Sequence, residues 1–198
     1  MSVLLLSGGL DSLVMLATCK NADPLCITFD YGQKHNREIL HAKRIAREYS
    51  RRHMIIDIAG AIPACPLTGS GSIPAGVPHD DPTQSATVVP NRNGIMISIA
   101  AAWASTHRDK SVLIGCHASD HAVYQDCRPI FLSTMSDAVS AGCGARIKAP
   151  FSKKTRREVV EIGRDAGVDF SLAWSCYEGG DEPCGVCGAC VERSEAGA

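Results

Sequence analysis

The sequence of 198 residues predicts an α/β fold: a parallel sheet flanked by helices. Three observations lead there. Apolar, β-branched runs of strand length recur along the chain, helical patterns separate them, and a glycine-rich joint links the first run to the first helix. Strands that alternate with helices build parallel sheets, whose ligand sites lie at the carboxyl ends of strands where the chain turns into a helix.

The elements follow in order. Residues 3–6 (VLLL), 25–29 (LCITF), 54–58 (MIIDI) and 112–116 (VLIGC) are strands apolar enough to be buried on both faces. Helical spacing marks 11–19, 35–50, 93–106 and 155–166, with Ile39, Leu40, Ile45, Ala46 and Tyr49 on one face of the second. A further helix is expected over 127–139. The stretch GIMISIAAAWAS is apolar almost all round, which at that length means a buried, central helix rather than a membrane span. Residues 60–90 are rich in Gly, Pro, Ser and Thr and long for a connection inside one domain, so they read as an active-site lid or as slack.

Bulk composition narrows the function classes. Hydrophobic residues at 45% and charged residues at 21% describe one ordinary globular domain. A net charge of −1 gives no summed field toward a phosphate backbone, so long nucleic acid is not an expected ligand. No basic segment precedes an apolar stretch at the start and nothing reaches spanning length, which predicts a cytoplasmic protein without a membrane partner. Ten cysteines in a reducing compartment then point to a metal before disulfides.

The joint SGGLDS (7–12) has the makings of an anion site. The first N–H groups of a helix are unpaired and lie at the positive end of its dipole. Gly8 and Gly9 permit close approach and a nest-like backbone, and Ser7 and Ser12 add hydroxyls. Asp11 is the odd member: a carboxylate beside phosphate repels it unless Mg²⁺ lies between them or the carboxylate caps the helix. The usual ATP-hydrolysing loop requires a lysine here, and this joint has none. A capped glycine turn is the plainer alternative.

Cys176, Cys184, Cys187 and Cys190 are spaced Cx7CxxCxxC, which suits one tetrahedral structural Zn²⁺ with no open position. Ferredoxin-type spacing would continue with three residues and a Cys-Pro, whereas here Pro183 precedes the run and the fourth cysteine lies upstream. The other six cysteines lack ligand spacing and read as small buried hydrophobes, with Cys127 alone held open as an exception. His35 and His41 begin an amphipathic helix and read as solvated.

SGGLDS resembles the pyrophosphate loop of the N-type ATP pyrophosphatase (PP-loop) superfamily. FDYGQKH (29–35), VPNRN (89–93), DCRP (126–129), KTRREVVEIG (154–163) and SCY…PCGVCGACVER (175–193) narrow the resemblance to the 7-cyano-7-deazaguanine synthase family. That resemblance implies a Rossmann-like, adenine-nucleotide-α-hydrolase-like domain over 1–170, with 60–90 as lid, and a zinc-binding segment over 171–198. It implies an ATP-dependent carbon–nitrogen ligase, a homodimer in queuosine biosynthesis, that converts 7-carboxy-7-deazaguanine and ammonia to the nitrile (preQ0) through an adenylate and an amide. Ser7, Gly8, Gly9, Leu10, Asp11 and Ser12 would hold the pyrophosphate end of ATP, with Asp11 near Mg²⁺. Lys153, Lys154 and Arg92 are candidates for charge stabilisation; Tyr31, Gln33, Asp126 and Arg128 for the deazaguanine pocket, where Asp126 could instead cap helix 127–139. The segment 115–129 departs from the family pattern at His117, Ala122-Val123 and Gln125. Alternatives at this point are a variant that stops at the amide or serves DNA deazaguanine modification, another PP-loop enzyme acting on tRNA, and a non-catalytic zinc-bearing interaction module.

Overall fold

The computed structural model describes residues 2–19, 23–34, 36–69 and 71–198; His35, read as solvated, lies outside them. A five-stranded sheet has the order β3-β2-β1-β4-β5, with every neighbouring pair parallel. Its strands are β1 (Val3–Leu5), β2 (Leu25–Asp30), β3 (His53–Asp57), β4 (Ser111–Leu113) and β5 (Arg146–Lys148). The α-helices are α1 (Leu10–Thr18), α2 (Arg37–Glu48), α3 (Arg92–Ser105), α4 (Pro129–Cys143), α5 (Arg156–Asp165) and α6 (Gly188–Ala196). The α/β class expected from the alternation is therefore the fold observed.

Strand periodicity sorts the core into two layers. Leu4 and Leu6 face a layer built by α1, α2 and α5, where Leu13, Val14, Ala42, Ile45, Val159 and Val160 are buried. Val3 faces the other layer, where Ile97, Ala100, Ala101 and Ala104 of α3 are buried with Leu132 and Val139 of α4. The central placement of α3 matches its all-round apolar sequence, with Ser98, Ala102 and Trp103 exposed on the outer side. Two elements are additional to the sequence expectation. β5 is an Arg-Ile-Lys edge strand, too short and too charged to show as an apolar run. α6 lies inside the cysteine segment, where ligand spacing masks helical periodicity.

Residues 60–90 are not slack. Leu67, Ile73 and Val89 belong to the core, a 3₁₀ turn covers Pro82–Thr87, and the chain is strapped to the cysteine segment. Gly76 N donates to Val186 O at 2.8 Å, Ala75 forms an antiparallel bridge with Cys187, and Gln84 is fully buried against Gly188.

β1 and β4 lie side by side, yet β1 leads to β2 on its other flank. That reversal makes the carboxyl ends of β1 and β4 a switch point, where open α/β sheets bind ligands.

Candidate active site

A cavity of about 210 Å³ opens at this switch point. Ser7, Gly9, Asp11 and Ser12 line it after β1, Tyr31 and Gln33 after β2, and Gly115, Cys116 and Asp120 after β4. Arg92, Asn93, Arg156, Trp174 and Tyr177 complete much of the wall. Sequence reasoning singled out some of these from motifs; the sheet order brings in the rest.

The Ser7–Ser12 loop is braced by hydrogen bonds of its own. Gly9 N donates to Ser7 Oγ at 3.1 Å, Ser12 Oγ donates to Gly9 O at 2.9 Å, and the two serine hydroxyls meet at 3.1 Å. Gly9 is the N-cap of α1 and no side chain caps that helix, so Asp11 is not a cap. Instead Asp11 Oδ2 accepts from Arg156 Nη1 at 2.5 Å. Arg156 also donates from Nε and Nη2 to Glu192 Oε2 at 3.0 and 2.8 Å. Behind this pair stands fully buried His117, its Nε2 3.8 Å from Asp11 Oδ1 and 3.5 Å from Asp120 Oδ1. His79 of the long loop approaches Asp120 at 3.7 Å and Glu192 at 3.9 Å. Burial alone would raise the Asp120 carboxyl, but His117, His79 and Arg156 outweigh it and hold it down to about 2.

At the other end of the cavity Arg92 lies 5.4 Å from the Tyr31 ring centroid and donates from Nη1 to Tyr31 Oη at 3.1 Å. Burial pushes the Tyr31 phenol up to about 12, so it stays neutral and can donate. Gln33 is spent on the turn: its Oε1 accepts from Tyr31 N at 2.9 Å and its Nε2 donates to Phe29 O at 3.3 Å. It shapes the wall and positions Tyr31. Tyr124 shares hydroxyl contacts with Thr87 at 2.8 Å and Tyr177 at 3.3 Å, joining the long loop to the cysteine segment over the cavity.

Four candidates stand off the wall. Asp126 Oδ2 accepts from Asn93 N at 2.9 Å, so it tethers the first turn of α3 rather than capping α4. Arg128 Nε donates to His121 O at 2.9 Å. Lys153 is exposed and Lys154 half-buried, and neither lines the cavity. His41 is also not simply solvated: its Nδ1 lies 2.7 Å from Leu172 O and its ring packs 5.4 Å from that of Trp174.

Cys127 does reach the cavity, beside Cys116. Asn93 Nδ2 donates to its sulfur at 3.3 Å, while the Cys116 thiol and burial push Cys127 well up, which keeps it a protonated and weak nucleophile.

The four terminal cysteines converge as their spacing predicted. Their sulfurs lie within 4.8 Å of one another, and thiolates around one tetrahedral Zn²⁺ stand about 3.8 Å apart. Cys184 N and Glu178 N donate to Cys176 Sγ at 3.3 and 3.4 Å, and Cys187 N to Cys184 Sγ at 3.3 Å. Such donors stabilise thiolate charge, so the set fits a metal ion. Among the described residues it is the one convergent ligand group.

The family model described as queuosine biosynthesis protein QueC matches residues 1–198. The chain belongs to this family. It is 43% identical over 203 residues to the 7-cyano-7-deazaguanine synthase of Desulfotalea psychrophila, covering 98% of this chain and 92% of that one. The synthase of the same name from Porphyromonas gingivalis is 40% identical, covering 98% and 91%. That of Archaeoglobus fulgidus is 39% identical, covering 98% and 84%. Among solved structures, the U34-tRNA thiolase NcsA of Methanococcus maripaludis, determined with its four-iron, four-sulfur cluster, is similar at a TM-score of 0.50 and 16% identity. The match covers 98% of this chain and 63% of that one, and it speaks for the shared fold.

Arg156, Asp120, His117, Glu192, Tyr124 and Tyr177 are the site residues that motif reading missed. Arg156 stands inside KTRREVVEIG, Tyr177 and Glu192 inside SCY…PCGVCGACVER, and His117, Asp120 and Tyr124 inside the segment 115–129, but no motif told their roles. They come from separate elements and converge only through the fold.

Proposed function

We propose that the chain converts 7-carboxy-7-deazaguanine and ammonia to 7-cyano-7-deazaguanine with ATP. The observation that carries this reading is one cavity holding two unlike ends: a glycine-serine phosphate loop at a helix N-terminus, and an aromatic, cationic end built by Tyr31 and Arg92. The family's named synthases support the same product.

The chemistry divides between those ends. Arg92 grips the substrate carboxylate, while Tyr31, Phe29 and Tyr177 enclose the flat heterocycle. A carboxylate oxygen attacks the α-phosphorus of ATP; the bond to the bridging oxygen breaks and pyrophosphate leaves onto the Ser7–Ser12 loop, whose N–H groups and hydroxyls take its charge. Ammonia then attacks the acyl carbon, AMP departs and the amide forms. In a second round the amide oxygen is adenylated and leaves with AMP as nitrogen loses its two protons, giving the nitrile. The Thr87–Tyr124–Tyr177 contacts close the cavity against water, which would hydrolyse the acyl adenylate. Asp11 is the residue to hold Mg²⁺, which would supply charge neutralisation at the phosphates.

The four cysteines hold a structural Zn²⁺, the compact sulfur set suiting a single ion. In this reading 1–170 is the catalytic body, 60–90 its cover, and 171–198 a metal-stapled segment that closes onto both. None of the departures at His117, Ala122, Val123 and Gln125 lines the cavity, although His117 stands behind the lining residues Asp11 and Asp120. The product formed separates the nitrile reading from the amide-stopping alternative.

Incubating the pure protein with 7-carboxy-7-deazaguanine, ATP, Mg²⁺ and ammonium tests the reading. AMP and a mass corresponding to the nitrile are expected. Absence of substrate-dependent AMP would refute it, and accumulation of the amide alone would move the assignment to the shorter reaction.

A further inference from the structure

The phosphate loop lacks the lysine that ATP-hydrolysing loops carry, and its one carboxylate already has a cation beside it. We infer that Arg156, from the first turn of α5, is the pyrophosphate-facing cation of this site. The inference rests on reading Ser7–Ser12 as a phosphate loop and names the residue that neutralises the leaving group there.

Charge in the cavity argues for it. The charged lining residues are Asp11, Glu38 and Asp120 against Arg92 and Arg156. Arg92 stacks on Tyr31 at the substrate end, so among the described lining residues Arg156 is the cation that touches the phosphate loop. A helix N-terminus contributes only about half a positive charge. Pyrophosphate leaving with several negative charges requires more, and the Asp11 and Asp120 carboxylates that line the same cavity make the requirement larger.

Geometry argues for it as well. A guanidinium has five N–H donors. The contacts to Asp11 and Glu192 occupy Nη1, Nε and Nη2 with one N–H each, which leaves one on each terminal nitrogen for a bound oxyanion. Two carboxylates hold the plane of the group before any ligand arrives, so little side-chain freedom is lost on binding. Arg156 also neutralises Asp11 where it stands, removing the repulsion that a bare carboxylate would exert on phosphate. The capping box of Thr155 and Glu158 fixes where α5 begins and therefore where Arg156 sits.

The rival role is a clamp: Arg156 would merely tie α1 and α5 to α6 through Asp11 and Glu192. Titration calorimetry of the full, metal-loaded chain with inorganic pyrophosphate and Mg²⁺ separates the two. Arg156→Gln is expected to weaken pyrophosphate binding by about 10- to 100-fold, the range for losing a charge-assisted donor pair. Arg156→Lys should fall between that variant and the unaltered chain. Glu192→Gln takes the charge off the tie to α6 but leaves the guanidinium and its bond to Asp11, and should lose clearly less pyrophosphate binding than Arg156→Gln. If Arg156→Gln does not fold, the lysine variant decides, with a loss above about threefold supporting the role. A loss below about threefold in the decisive variant overturns it, as does an equal loss in Glu192→Gln, which would leave only the clamp. Should the unaltered chain bind no pyrophosphate, the phosphate-loop reading itself falls, a result distinct from the failure of Arg156 alone.

Discussion

Gly8 lies so close to α2 that a Cβ on it would stand 2.0 Å from the Glu38 carbonyl oxygen and 3.0 Å from the Ala42 amide nitrogen. Its φ is +92°, in the left-handed region. The first glycine of the loop is therefore demanded by packing on α2 as well as by its backbone angle, whereas Gly9 has only Ser7 Oγ and the Trp174 carbonyl near it. Gly8→Ala must displace backbone on both sides. It should cost about 2 kcal/mol or more in urea unfolding, and an unchanged midpoint would show that the loop is free to shift away from α2.

Arg92→Lys keeps a charge but loses both the fork and the stack on Tyr31. KM for the carboxylic acid substrate is expected to rise about tenfold or more while KM for ATP stays within about twofold. Parallel changes in both constants would place Arg92 at the phosphate end instead.

Cys187 is 1% exposed and contributes to the core as well as to the sulfur set. Cys187→Ser should lower soluble yield and bound metal together, because a structural metal contributes its binding energy to folding. A folded, metal-replete variant by atomic absorption would remove Cys187 from the ligand set.

Two groups, buried His79 and half-buried Asp120, give stability opposite pH limbs. Asp120 is held at about 2 against 3.8 unfolded, so its contribution, about 2 kcal/mol, is present above pH 3.8 and lost as pH falls through 2. His79 is buried, which by itself would lower it, but Asp120 and Glu192 outweigh burial and the opposing charge of Arg156 and raise it above 6.5. Its contribution is therefore present below pH 6.5 and lost as pH rises through the folded value. Urea midpoints across pH 2 to 9 should show His79→Gln flattening the decline above pH 6.5 and Asp120→Asn flattening the acid limb. A His79 variant with the full alkaline decline would show that other groups set it.

Local chemistry made some features legible and hid others. Leu4, Ile27 and Val112 announce strands because a strand buried on both faces must be apolar throughout. Arg146–Lys148 pairs only along one edge and needs no such run, so β5 is silent in the sequence. The cysteine set was readable because ligand spacing is itself local. Asp126 and Arg128 stood inside a specific motif, yet motif membership does not say which way a residue is used: Asp126 tethers α3, and Arg128 holds a carbonyl.

The sequence by itself determined the α/β class, the glycine-serine loop between β1 and α1, and the convergent four-cysteine group, since each is written in periodicity or spacing within a short segment. Only the tertiary structure decided what surrounds that loop. Asp11, Asp120, Arg156 and Glu192 come from four separate segments of the chain; the first three meet because parallel strands β1, β4 and β5 deliver their following turns to one edge of the sheet, and α6 brings Glu192 to them. Buried charges must find partners wherever the fold provides them. That pairing, invisible in any single stretch, is what sets an arginine where the loop has no lysine.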